Sequence, residues 1–166
     1  WAQPRPHLAE VPRLEVLSGQ GAAAEALAYR KDFVEYCFGT GTSGAGSGPV
    51  VGLALGIDPQ TGGDPYQLGN RDLAGRVVLL RERNISNLSL RSAAGVLLVA
   101  DDPTALEKKY LFVWQGNLQI GGVPVLLITP EAADRLLATA GSSLAELDRR
   151  QAALGPSEVY ETAPGA

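Results

Sequence analysis

Three stretches of this chain are apolar at consecutive positions: VVLL (77–80), VLLVA (96–100) and VPVLLI (123–128). A strand with one wet face alternates apolar and polar residues. Unbroken runs of this kind therefore predict strands covered on both faces and gathered in one core. DFVEYCF (32–38) and PVVGLALGI (49–57) predict two more strands. With GTGTSGAGSG (39–48) between them, they predict a hairpin closed by a loose, mobile loop. YLFVWQ (110–115) is strand-like, and SEVYETA (157–163) predicts a last strand. Residues 1–13, with three prolines, predict an extended lead-in. GAAAEALAY (21–29) has helix-favouring composition, while SNLSLRSAA (86–94) and TALEKKY (104–110) are short helical candidates.

The stretch 121–155 is the most regular. Thr129 is placed to cap a helix whose first residue is Pro130. Ala133, Leu136, Leu137 and Ala140 recur at helical spacing, and Gly141 suits a left-handed stop. Ser143 and Glu146 have capping-box spacing for a second helix with Leu144, Leu147 and Leu154 turned inward. Gly155-Pro156 ends it. The pattern is α/β, a β-rich core with flanking helices.

The chain has 166 residues, 45% of them apolar, which suits one domain. The expected layout is a lead-in over 1–30, a single globular domain over 31–163 and linker over 164–166. A net charge of −4 argues against a nucleic-acid face, which requires clustered Lys and Arg. No apolar run reaches about 18 residues, so no membrane-spanning helix is predicted. A chain that opens on Trp1 and contains no Met is expected to come from a longer polypeptide.

Candidate chemistry is sparse. Metal sites draw on several His, Cys, Asp or Glu ligands, and here His7 is the single His, so no metal ligand is assigned. Asp101 and Asp102, at the end of a predicted strand, are weak ligand candidates; acids there often only turn the chain. Gly39, Gly41 and Gly44 match G-x-G-x-x-G, but the fingerprint requires a helix directly afterwards, and AGSGPVVG does not supply one. Cys37 has no activating partner in reach and is expected to be a small buried residue. Asn84 and Asn87 each open a glycosylation triplet. No nucleophile–base pair emerges, and no catalytic residue is assigned. Tyr110, Phe112 and Trp114 fall at period two on one strand face. They are either core packing or an exposed interaction surface.

In their order, these segments resemble a known family. DLAGRVVLLRER, AAGVLLVADD and GGVPVLLITPEAADRLL are similar to three successive segments of protease-associated (PA) domains. PRLEVLSG, YRKDFVEYCFGTGTSG and PVVGLALGI resemble the lead into that domain in zinc aminopeptidases, and GSSLAELDRRQAAL resembles a helix of those enzymes. The resemblance covers most of residues 10–155. The chain departs from the pattern after Arg81, where ERNISNLSL lacks the Cys and Phe that many PA domains carry.

The resemblance implies a swivelling β/β/α domain without catalytic activity. It implies excision from a secreted or cell-envelope zinc-dependent aminopeptidase, in which zinc belongs to a catalytic domain C-terminal to these residues and no cofactor to the domain itself. The implied partners are that catalytic domain and a peptide or protein substrate. The implied role is substrate access, domain packing or protein–protein contact. Two alternatives stand beside it: a small-molecule-binding α/β domain using strand-end loops, and an independent cargo-binding module.

Overall fold

The computed structural model describes residues 10–17, 25–36, 44–56, 68, 71–84, 90, 92–102, 104, 106 and 122–164. The predicted apolar runs become neighbouring strands: β4 (Val50–Leu55), β5 (Val77–Arg81), β6 (Gly95–Val99) and β7 (Val125–Ile128). They lie side by side in sequence order and all parallel. An antiparallel strand closes each edge. β3 (Phe33–Glu35) pairs with β7, and β8 (Val159–Glu161) pairs with β4, so the sheet order is β3-β7-β6-β5-β4-β8. Before it, β1 (Glu15–Val16) and β2 (Glu25–Ala26) form a two-stranded antiparallel ribbon. The chain is thus an α/β protein with a mixed six-stranded sheet.

Both faces of the sheet are apolar, which is why the central strands do not alternate. Val51, Leu53, Val78, Leu80, Val96, Leu98 and Leu127 point to one face, where Leu68, Leu73, Leu90 and Leu106 join them. Ala54, Leu79, Leu97, Val99 and Ile128 point to the other. That second face is covered by α1 (Pro130–Ala138) and α2 (Leu144–Ala153), through Ala133, Leu136, Leu137, Leu144 and Leu147. Leu126, within a run expected to be interior, is only half-buried. The helix starts fall where the sequence places them, but α1 ends at Ala138, before Ala140, and α2 ends at Ala153, with Leu154 already extended. The Thr129 hydroxyl accepts from the Ala132 N–H at 3.1 Å, and the Ser143 hydroxyl accepts from the Glu146 N–H at 3.2 Å. Gly141 takes a left-handed φ of 63° just after α1.

Three expectations are corrected. β3 and β4 do not form a hairpin; three strands separate them. The glycine-rich segment between them is therefore a crossover, and its described part, 44–48, is docked. A Cβ at Gly46 would stand 1.8 Å from the Ala94 carbonyl oxygen, and one at Gly48 would stand 1.8 Å from that of Gly75. Ala94 precedes β6 and Gly75 precedes β5, so the segment runs past the starts of both strands before entering β4. Glycine is used here because two backbones touch. Second, residues 25–26, inside the stretch of helix-favouring composition, are β2: a two-residue strand is fixed by its partner and not by propensity. Third, the described residues 92–94 of the helical candidate 86–94 are turn, bridge and bend. Within the expected lead-in, Leu14, Val16 and Leu27 pack against the helical layer. No helix among the described residues is long and apolar enough to cross a membrane.

Candidate functional site

In a parallel sheet the carboxyl ends of the strands are the usual place for ligands, because connecting loops diverge there. In this chain the carboxyl ends of β5 and β6 carry a dense polar cluster. Arg81 ends β5, and a short 3₁₀ turn (Glu82–Asn84) follows it. Asp101 follows β6, and Asp148 comes from α2. The Arg81 guanidinium donates through Nε to Asp148 at 2.9 Å and through a second nitrogen to the other carboxylate oxygen. Arg83 binds Asp101 twice, by its backbone N–H at 3.0 Å and its guanidinium at 2.6 Å. Arg81 also lies 3.9 Å from Asp101, and Arg83 lies 3.7 Å from Asp148. Hydrogen bonding to Asp148 raises the Arg81 pKa above its ordinary value, against the opposing effect of partial burial.

Beside these four groups, Asn84 and Gln151 exchange both of their amide hydrogen bonds, at 2.9 and 3.0 Å. Asn84 is 2% exposed, so this pairing satisfies an amide that burial would otherwise penalise. The cluster holds two cations and two anions, each engaged with another. Chemically it is a clamp that ties α2 to the ends of two strands.

Of the predicted ligand candidates, Asp101 is thus committed to Arg83. Asp102 accepts from the N–H and the hydroxyl of Thr104, both at 2.8 Å, which turns the chain. Tyr110, Phe112 and Trp114 lie outside the described residues, as do His7 and Cys37. Among the described residues, no group of three or more His, Cys, Asp or Glu is placed to hold a metal ion.

At the opposite end, where the parallel strands begin, a groove of about 450 Å³ opens between β1 and the crossover. Its apolar lining includes Leu14, Val16, Val50, Val77, Leu97 and Leu136, and its far rim is Gly46, Ser47 and Gly48. Reasoning from the sequence missed this groove. The signal was the alternation of RLEVL (13–17), short enough to pass for lead-in. The clamp was missed because Arg81 and Asp148 are far apart along the chain. No protein-family model, no curated protein and no solved structure matches the chain.

Proposed function

We propose that the chain is a non-catalytic domain of the protease-associated type, carried by a zinc-dependent aminopeptidase-like metallopeptidase. Its role is to border the substrate cleft, pack against the catalytic domain or contact a protein partner. The observation that carries this reading is the placement of the three family-like segments. DLAGRVVLLRER holds β5, AAGVLLVADD holds β6, and GGVPVLLITPEAADRLL runs through β7 into α1. These are consecutive parallel neighbours, so the segments whose order carries the resemblance are also contiguous in space. In this reading the domain acts by shape. It alters which substrates reach the zinc of the catalytic domain, and leaves the bond-breaking step to metal-bound water there.

The test has two parts. The reading frame beyond Ala166 is expected to encode a segment with two His and several acids. Removal of the whole sheet domain, 10–164, from that longer protein is expected to change the ratio of kcat/KM values for long and short peptides, since β3, β4 and β8 lose their partners if 75–155 alone is removed. A downstream sequence without metal ligands, or a length preference unchanged in a variant that still folds, rejects the proposal.

A further inference from the structure

The outer edge of β1 is the surface that carries an inference, and it is independent of the metallopeptidase reading. Along 11–17 exposure alternates strictly: Val11, Arg13, Glu15 and Leu17 are exposed, while Pro12, Leu14 and Val16 are half-buried. Val11 and Leu17, at 64% and 66%, are the exposed large hydrophobic residues among those described. Arg13 and Glu15 lie between them, and neither side chain has a partner among the described residues.

Backbone direction follows from the β1–β2 register. Leu27 N–H donates to the Leu14 carbonyl at 2.9 Å, and Val16 stands opposite Glu25. Hydrogen-bonded and non-bonded pairs alternate in an antiparallel ladder, so Leu14 and Val16 direct their N–H and C=O groups toward β2. Arg13, Glu15 and Leu17 direct theirs to the opposite side. The groove lies on that side, because it is lined by 13–17 and by no residue of β2. Among the described residues no strand pairs with this edge, and an edge of this kind is a template for another strand.

We propose that the strand which pairs there is β1 of a second copy, antiparallel and centred on Leu14. That register places Arg13 opposite Glu15 of the partner subunit and Glu15 opposite the partner's Arg13. It also places Leu17 opposite the partner's Val11, and Val11 opposite the partner's Leu17. Each residue whose backbone is free to pair thus meets a complementary side chain, on one continuous face. Opposite charges and apolar pairs directly across a ladder are both favourable. Pro12 falls at a position whose backbone faces away from the new strand, so its missing N–H costs the ladder nothing. The rim at Gly46 to Gly48 carries little side-chain bulk. The contact is isologous, the same surface on both copies, and it closes at two. It would join the two ribbons into a sheet of order β2-β1-β1-β2.

Sedimentation equilibrium over a concentration series of the full chain tests this. The unaltered chain is expected to dimerise. R13E and E15R each put like charges at both cross-strand pairs and are expected to weaken association at least about tenfold. An equimolar mixture of R13E with E15R is expected to restore association, because the two charge sets are then complementary. The double variant R13E/E15R is expected to associate as the unaltered chain does. These residues are exposed, and an unchanged thermal midpoint of each monomer verifies folding. A chain that remains monomeric throughout overturns the proposal. So does a dimer that the single variants leave intact, or one that the mixture and the double variant fail to rescue.

Discussion

Replacing Gly46 with alanine tests the crossover by the sign of its effect. Gly46 is not among the residues with positive φ, so alanine can adopt its backbone conformation. In a segment that touched nothing, Gly46→Ala would stabilise the protein by about 0.4–1 kcal/mol, by restricting the unfolded chain. In this structure the new methyl would stand 1.8 Å from the Ala94 oxygen and 2.6 Å from the Ala94 carbonyl carbon. Ordinary carbon contacts are about 3.5–4.0 Å, so the crossover must lift by well over an ångström. Ala94 cannot yield freely, because its N–H is held by the Arg76 carbonyl at 2.8 Å. Overpacking of this kind costs about 1–3 kcal/mol. At roughly 2–4 °C per kcal/mol for a chain of this size, the thermal midpoint should fall by about 2–12 °C. Circular dichroism melting and urea unfolding measure the change, with the exposed Ser47→Ala as a control expected to stay within about 0.5 kcal/mol. An unchanged or raised midpoint for Gly46→Ala would refute the docked crossover and reinstate a loose loop.

Three further outcomes are expected. Leu98→Ala, at a fully buried position in β6, should cost about 2–5 kcal/mol, and the half-buried Leu126→Ala distinctly less; equal urea midpoints for the two would contradict the layering. Asn84→Ala should cost about 0.5–1.5 kcal/mol, because it removes the hydrogen bonds to the half-buried Gln151 amide, and Asn84→Ala with Gln151→Ala should cost less than the sum of the singles. Tyr36 donates to Glu82 at 3.0 Å, and burial first, then the Glu82 charge, pushes its phenol well above the ordinary tyrosine value. The stability it carries is therefore complete below about pH 10 and is lost as pH rises through the folded-state value. Urea midpoints across alkaline pH should show a decline that Tyr36→Phe lessens, Tyr29 supplying part of the remainder because burial and its bond to Glu35 raise its phenol too, and an identical decline in both proteins would exclude Tyr36 as a source.

What could be read from the sequence was whatever is decided locally. The caps at Thr129 and Ser143 depend on residues within one turn, and both are found. The strands β5, β6 and β7 were legible because burial on both faces leaves an unbroken apolar run. Strand pairing was not legible for β3 and β4. Their closeness along the chain suggested a hairpin, whereas Phe33 pairs with Ile128 and Val50 with Val77. The glycines of 44–48 misled for a related reason. Glycine content reports freedom in the unfolded chain, and carries no mark of the Ala94 and Gly75 backbones that make glycine necessary in the folded one. Of the candidate residues, Asp102 turns the chain, as such acids commonly do. The Asp101 pairing with Arg83 depends on two strand ends that only the parallel register brings together.

β8 has a consequence for how the protein is made. Its partners on β4 are Leu53, Ala54 and Leu55, more than a hundred positions earlier. On the ribosome, at about 5–20 residues per second, β4 waits on the order of five to twenty seconds for that strand to be synthesised. Throughout that wait one side of an almost wholly buried strand has no native mate. A nascent chain halted anywhere between 56 and 158 would present this bare, hydrophobic edge to its neighbours. The steps that protect it from wrong pairing therefore belong to synthesis as much as to the finished fold.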